Sequence, residues 1–457
     1  MKKLLLKACV FGLFATTSLA AIDLPVFYRS PLFQGTPDWL VRDRATNISV
    51  SYMTGSGSAA RNGDGSREEL LGIYGAVDIA RLGLYIENPG ALTMPLWTDP
   101  GLAAMGDPTP FFNGAAVPAV DSPDGKVVYN GKINTYQVGL TFKQSIFSGL
   151  YFMAYAPIRN VKLYNITHKN LGAAAVNGKN VEDFLSMELP GILKENGFTD
   201  INDRFSLTTV PEILLAAGWE GASTTLFNKD LKYLRGSVQI GGLIPVAARR
   251  KEDTLIAVPL GYNAHWAIDA RASAELGVLE KLAVGINAGS TIFFSEHRVV
   301  RLKTDANQSG FAMLGKAGAD VDSANLWHLS GYVKAEKIVQ GFSALVGYSY
   351  THQDKTHLNL EDEKFLKTYA AQQAARMPQP FYISKNDIIN ADQRYKGWQA
   401  HVVNFWAEYD FKIHVRQNAW GPVVAFEFAL PIRSEGKRAF AINMVGGTAS
   451  MNIGWTF

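Results

Sequence analysis

Two polar side chains, His328 and Ser330, stand two residues apart in the segment His328-Leu329-Ser330-Gly331. Residues at this spacing in an extended strand share one face, so an imidazole could accept the proton of the neighbouring hydroxyl. Trp327 and Leu329 occupy the other face of the same segment, which leaves the pair on the polar side. We interpret the pair as part of a polar network and expect no enzymatic activity.

Other motifs with chemical potential are incomplete. Residues 62–66, Asn-Gly-Asp-Gly-Ser, resemble the start of a calcium loop, but Ile73 stands where a bidentate Glu is required. The chain has no phosphate-binding Gly loop, no His-Glu-x-x-His motif and no nucleophile elbow. The remaining histidines have no metal-ligand spacing. We therefore expect neither a metal site nor a cofactor.

Charged residues alternate with apolar ones along many segments. Between Asn263 and Leu276, Asp269 and Arg271 oppose Ile268 and Ala270. This period of two is typical of a strand with one face in lipid and one in a polar lumen. The candidate lumen-lining residues are Glu212, Glu220, Arg235, His265, Asp269, Arg271, Glu275, His328, Lys334, Glu336, Glu408, Asp410 and Glu427.

The first twenty residues, Met1 to Ala20, have the charged start, short apolar run and small-x-small end of a secretory signal peptide. Its removal would leave 41 basic and 41 acidic residues, because Lys2, Lys3 and Lys7 belong to it. A neutral mature chain gives no reason to expect a nucleic-acid partner. The only cysteine, Cys9, also lies in this segment, which excludes disulfides from the predicted mature protein.

The last segment, residues 447–457, alternates and ends on an aromatic residue. It resembles the final strand of Gram-negative outer-membrane β-barrels. The resemblance implies an outer-membrane location, contact with lipid and lipopolysaccharide, and a partner in the barrel insertion machinery. Trp455 and Phe457 would belong to the signal that this machinery reads.

Connection lengths predict the topology. Short links at about 144–148, 223–231, 277–281, 337–341 and 414–420 alternate with long ones at about 166–205, 248–262, 301–323 and 359–395. An up-and-down antiparallel transmembrane barrel over residues 45–457 explains this order. With a first strand near 45–56, we expect about twelve strands, or fourteen if residues 67–88 form a hairpin. Residues 21–44 would precede the barrel as a periplasmic or plug segment.

Several connections contain large apolar residues. Residues 89–132 hold Trp97, Phe111 and Phe112, and residues 180–196 predict a helix with Phe184 and Leu189 on its apolar stripe. Residues 360–375 are a second helical candidate. These segments could be gates folded into the mouth of the barrel, or they could only brace the loops.

Two resemblances bear on function. The N-terminal segment and the helical outer loops are similar in layout to the long-chain fatty-acid and hydrocarbon transporter family, although the Asn-Pro-Ala signature of that family is absent. His328 and Ser330 resemble the His-x-Ser pair of outer-membrane phospholipases, where the pair faces lipid. Neither resemblance assigns a ligand residue here.

The expected function is passive movement of small or amphiphilic solutes across the outer membrane. Interior charges of both signs would line a narrow path, whose acidic excess favours cations, or would pair and close the lumen. In the second case the chain would be a surface protein that acts through its outer loops. A barrel hydrolase is the third alternative.

Overall fold

Twelve long strands form the wall of the molecule. The computed structural model describes residues 45–61, 66–78, 122–176, 179–195, 198, 204–223, 231–249, 251–255, 261–279, 281–302, 313, 315–339, 341–360, 395–411, 421–436, 439–440 and 443–454. The wall strands are β1 (Ala45–Gly57), β2 (Lys126–Phe147), β3 (Leu150–Asn170), β4 (Glu212–Ser223), β5 (Tyr233–Pro245), β6 (Ala267–Leu279), β7 (Leu282–Phe293), β8 (Leu326–Val339), β9 (Phe342–Gln353), β10 (Trp398–Asp410), β11 (Gly421–Glu435) and β12 (Asn443–Gly454).

The strands close into a barrel. Each pairs antiparallel with the strand before and after it in the chain, and β12 returns to pair with β1, for example Ser49 with Ser450. Closure satisfies every strand edge, which a sheet in a membrane requires. The predicted all-β, up-and-down transmembrane barrel of twelve strands is confirmed. Residues 67–78 hold only the short strands Arg67–Glu69 and Val77–Asp78 and the 3₁₀ helix Leu70–Tyr74, none of them a wall strand.

The outward face of the wall is an apolar belt. Opposite residues on neighbouring strands share a face, so the alternation along each strand extends around the ring. Exposed outward side chains include Ile48, Val50, Leu140, Phe142, Phe152, Leu215, Trp219, Val238, Ile240, Trp266, Ile286, Trp327, Leu329, Val333, Val346, Phe405, Val424 and Phe426. Residues as apolar as these lie exposed in such number only where the surrounding medium is lipid. None of the helical segments that the structure describes has the length and composition of a membrane-spanning helix.

The two ends of the barrel differ. At one end, called the short-turn end, β2 and β3 meet through Ser148 and Gly149, both with positive φ. Two such residues make a type I′ turn, which matches the twist of the strands. The other end, called the long-loop end, receives the connections 58–125, 171–211, 246–266, 294–325 and 354–397. One connection at this end, residues 436–442, is short.

The long-loop end also holds additional sheet and helix. Glu296–Leu302, Gly315–Asp322 and His357–Leu360 form a three-stranded sheet, called the outer sheet, with a core of Val300, Leu302, Ala319, Val321, Leu358, Leu360 and Tyr395. This sheet was not predicted, because the sequence indicates a loop over about 301–323 and a helix over 360–375. The predicted helix at 180–196 is present as Val181–Asp183, a π-helical turn at Phe184–Glu188 and Leu189–Glu195. Asn180 caps it by accepting a hydrogen bond from the Glu182 amide, 2.8 Å away.

Short segments complete the long-loop end. Phe205–Thr209 pairs with the upper part of β3, and Ala59–Arg61 pairs with Arg67–Glu69 and with Ala439–Phe440. Ala175–Val176 and Lys179–Asn180 form a two-stranded ribbon. The predicted signal peptide, residues 21–44, the candidates Trp97, Phe111 and Phe112, and the predicted insertion signal Trp455 and Phe457 lie outside the described residues.

Candidate functional site

The interior of the barrel gathers the thirteen residues that the sequence predicted to line it. All lie on or just before wall strands, at positions opposite the apolar belt. Glu212, His265, Asp269, Glu275, His328, Lys334 and Glu427 are buried, and Glu220, Arg235, Arg271, Glu336, Glu408 and Asp410 are partly buried. The strand period explains this placement, because each inward residue is two positions from the next.

Glu275 is the centre of a network at the short-turn end. Its Oε1 accepts hydrogen bonds from the Tyr233 hydroxyl and the Arg235 guanidinium, both at 3.0 Å. Its Oε2 accepts a hydrogen bond of 2.7 Å from the Tyr332 hydroxyl. Charge-assisted bonds of this kind are stronger than neutral ones, so one carboxylate orients side chains from β5 and β8.

A lysine and two carboxylates extend the network. Lys334 Nζ lies 3.4 Å from Glu336 Oε1 and 3.8 Å from Glu408 Oε1. The Tyr233 hydroxyl also lies 3.0 Å from Glu336 Oε1. The network therefore runs from β5 to β10 along the wall.

Further ion pairs lie on the adjoining strands β2, β3 and β4. Lys143 Nζ lies 2.7 Å from Glu220 Oε2 and 3.9 Å from the ring centroid of Tyr151. Arg159 donates from Nε to Gln137 Oε1 at 2.9 Å and from Nη2 to Glu212 Oε1 at 3.4 Å. These bonds join strands that are near one another in the ring, so the charges pair along the wall.

The middle of the interior holds Asp269 with Arg271 and Thr291. Asp269 Oδ2 accepts hydrogen bonds from Thr291 Oγ1 at 2.9 Å and from Arg271 Nη2 at 3.1 Å. His328 and Ser330 face inward here, as their spacing predicted, and Asn287 donates to the Ser330 hydroxyl at 3.3 Å. Ser330 is thus held in a polar network.

Glycines stand opposite the large interior rings on neighbouring strands. Tyr151, Tyr233 and Tyr332 stand directly opposite Gly218, Gly277 and Gly285 on the neighbouring strands. A Cβ at each of these glycines would collide with the opposing tyrosine ring. The rings therefore lie along the wall, in the space that a side chain at the opposing glycine would occupy. They do not project toward the barrel axis. The identity of each partner depends on strand register, which the sequence alone does not reveal.

The interior near the long-loop end is apolar, which sequence analysis missed. Tyr155, Leu214, Leu243, Ala267 and Phe293 are successive cross-strand partners from β3 to β7, and they form one row that we call the apolar row. They belong to a buried cluster that also includes Leu326 and Trp398. The sequence did contain a signal for this row: apolar residues stand at several positions of the face that is otherwise polar.

Residues 261–265, at the end of the connection 246–266, pack against this row. The rings of Tyr262 and Phe293 lie 5.0 Å apart, and Gly261, with φ +62°, lies against Glu212. The turn ends at His265, whose ring lies 3.3 Å from the Ser323 hydroxyl. A segment of the long-loop end therefore lines the mouth of the barrel.

Arg301, in the outer sheet, contacts residues of three different segments at the long-loop end. It donates to Asp253 Oδ1 from Nη2 at 2.8 Å and from Nε at 3.1 Å, and to the Met313 carbonyl from Nη1 at 3.2 Å. Its guanidinium carbon lies 3.8 Å from the ring centroid of Phe198. Burial lowers the pKa of Arg301, and the neighbouring Asp253 partly offsets that effect.

Two of the gate candidates are described. Phe184 and Leu189 are buried with Val181 and Leu193, so the helix uses its apolar stripe for packing. Within the described part of the chain, no group of three or more His, Cys, Asp or Glu residues is arranged to hold a metal ion.

Among the residues that the structure describes, the charges of the interior are unequal. The inward positions hold the carboxylates Glu212, Glu220, Asp269, Glu275, Glu336, Glu408, Asp410 and Glu427. The cations at inward positions are Lys143, Arg159, Arg235, Arg271 and Lys334. Five of these carboxylates, Glu220, Glu275, Glu336, Glu408 and Asp410, and three of these cations, Lys143, Arg235 and Lys334, lie toward the short-turn end, whereas Glu212 lies beside the apolar row at the long-loop end.

Comparisons with known proteins give distant similarities only. No protein-family model and no curated protein matches the chain. The COG4313 outer membrane channel from Pseudomonas putida F1 is 8% identical, with 90% of this chain and 97% of that chain covered and a TM-score of 0.44. The TodX monoaromatic hydrocarbon channel, as a deltaS2 mutant, is 8% identical over 90% of each chain, with a TM-score of 0.33. The NanC porin is 10% identical over 72% of this chain and 99% of its own, with a TM-score of 0.27. The assignment of the fold rests on the strand pairing and not on these scores.

Proposed function

We propose that the protein is an outer-membrane channel that passes small amphiphilic solutes, with a preference for cationic ones. The observation that supports this proposal most directly is the position of the interior tyrosines. Tyr151, Tyr233 and Tyr332 lie against glycines of the wall, so these three rings do not project toward the barrel axis. A barrel of twelve strands is wider than the eight-stranded type that side chains fill.

The chemistry of the wall supports the solute class. A solute that enters at the long-loop end would pass Glu212 and reach the apolar row, where its hydrocarbon part could replace contacts among Leu214, Leu243 and Phe293. It would then meet the carboxylates around Lys334. Asp and Glu side chains that line a pore favour cations because their negative charge attracts cations and repels anions.

The alternative is a closed barrel that presents its outer sheet to a partner. The independent core of that sheet, with Val300, Val321 and Leu358 fully or almost fully buried, favours this function. If no solute passes through the lumen, the protein is this closed barrel and not a channel.

Liposome swelling with matched solutes tests the proposal. Vesicles containing the folded mature protein should swell faster with a short alkylammonium salt than with an alkylcarboxylate of equal size. A second preparation without residues 21–44 determines whether that segment limits the rate. Absence of swelling with every solute, in protein whose gel mobility is heat-modifiable, would favour the closed barrel.

A further inference from the structure

The outward face of the β2–β3 ribbon changes character above the apolar belt. Tyr136 on β2 and Ile158 on β3 are among the last exposed apolar residues of this face. The outward positions that follow are Asn134 and Lys132 on β2. On β3 they are Asn160, Lys162 and Tyr164.

Strand register places two lysines together on this face. Lys132 pairs with Tyr164, and Asn134 pairs with Lys162, so the lysines are diagonal neighbours, about 7–8 Å apart at Cα. The alternate residues Ile133 and Leu163 stand opposite each other and are buried inside, so the lysines point outward. Both lysines are exposed.

A third cation adjoins them. Arg204 is exposed and immediately precedes the strand Phe205–Thr209, in which Ser206 pairs with Lys162. Among the described residues, none of the three cations lies within ion-pair distance of a carboxylate. Lys162 lies 5.7 Å from the ring centroid of Tyr164, an aromatic residue of the type found where a membrane meets water.

We propose that Lys132, Lys162 and Arg204 bind the phosphate groups of lipids in the leaflet at the long-loop end. The belt on β2, from Ile146 to Tyr136, covers ten residue steps. A tilted strand of that length spans about 25 Å, which is the height of the hydrocarbon region. The two lysines therefore lie at the level of the headgroups, outside the hydrocarbon and on the surface that faces lipid. Three cations that have no carboxylate partner within the described part of the chain complement a phosphorylated headgroup.

The test is native mass spectrometry of the full mature protein with bis-phosphorylated lipid A and with the same lipid after removal of its phosphates. Wild type should retain the phosphorylated form selectively. K132Q/K162Q should weaken retention about 25-fold, from about fivefold for each lysine near an anionic surface. The control K251Q/K355Q removes the same charge from exposed lysines elsewhere at the long-loop end and should leave retention unchanged.

Three results would overturn the proposal. They are equal retention of both lipids by wild type, equal retention by the two double variants, and retention that does not fall as salt is raised. Substitution at exposed positions should preserve the barrel, which heat-modifiable gel mobility verifies for each variant. The proposal is independent of conduction, because it concerns the outer surface of the wall.

Discussion

Gly285 and Tyr332 stand directly opposite each other on β7 and β8, and the phenol ring fills the space that a Cβ at position 285 would occupy. The hydroxyl of the same tyrosine donates to Glu275, one strand beyond. The glycine therefore determines where the ring lies, and the carboxylate determines where the ring ends.

Gly285→Ala should displace the ring of Tyr332 from the wall. Overpacking of this kind costs about 1–3 kcal/mol of unfolding free energy. The measurement is urea unfolding in detergent, followed by gel mobility. Gly331→Ala is the matched control on the facing strand, because a Cβ there has the Gly285 carbonyl, at 3.9 Å, as its nearest neighbour. Equal destabilisation by the two variants would contradict the close contact between the Tyr332 ring and Gly285.

The pair Lys143 and Glu220 should stabilise the barrel, because both side chains are largely shielded, at 7% and 13% exposure. Removing one partner leaves a charge without its counterion. The single variants Lys143→Met and Glu220→Gln should each lose about 1–3 kcal/mol, less than in a dry core because the lumen is proposed to hold water.

A double-mutant cycle isolates the coupling between Lys143 and Glu220. The double variant should recover part of the loss, since neither partner is then left alone. The control pair His297 and Asp320 is about half exposed and should show a coupling near zero. Additive losses at Lys143 and Glu220 would show that the pair does not interact in solution.

Arg301→Gln should loosen the connections at the long-loop end without unfolding the barrel. The substitution removes the hydrogen bonds to Asp253 and Met313 and the contact with Phe198. Limited proteolysis should cleave the outer segments faster, while heat-modifiable mobility persists. Arg301→Lys should be intermediate, because a lysine keeps the charge but lacks the planar fork. Unchanged cleavage would mean that the outer sheet is held by its own core alone.

Glu275→Gln should reduce the cation preference of the conducting barrel. The amide keeps the size of the side chain but removes one negative charge from the network around Tyr233, Tyr332 and Arg235. In a potassium chloride gradient, the reversal potential should move toward zero. Glu182→Gln removes the same charge from an exposed side chain of the outer helix and should not change it. A shift of equal size in both variants would assign selectivity to overall charge.

Period-two alternation explains which parts of the fold were predictable. It identifies the faces of Asp269, Arg271 and Glu275, because lipid on one side and polar groups on the other leave a regular pattern. The extension of β2 and β3 beyond the membrane was not predictable in this way, since lysines and asparagines replace the outward apolar residues there. The outer sheet was missed because its short strands are embedded in connections.

The contacts of the interior required strand register. Tyr332 could have faced any inward residue of the neighbouring strand, and only the pairing reveals that it faces Gly285. The apolar row could not be predicted for the same reason. Leu214, Leu243 and Phe293 are far apart in the sequence, and only the pairing of the strands brings them into one row. Sequence therefore predicted the composition of the wall better than its internal arrangement.

Single-channel recording of the refolded mature protein in a planar bilayer tests the central claim most directly. We predict discrete conductance steps and a reversal potential that indicates preference for potassium over chloride. Folded protein, verified by heat-modifiable mobility, that shows no conductance across the accessible voltage range would contradict the channel. The barrel would then be a closed scaffold for its outer sheet.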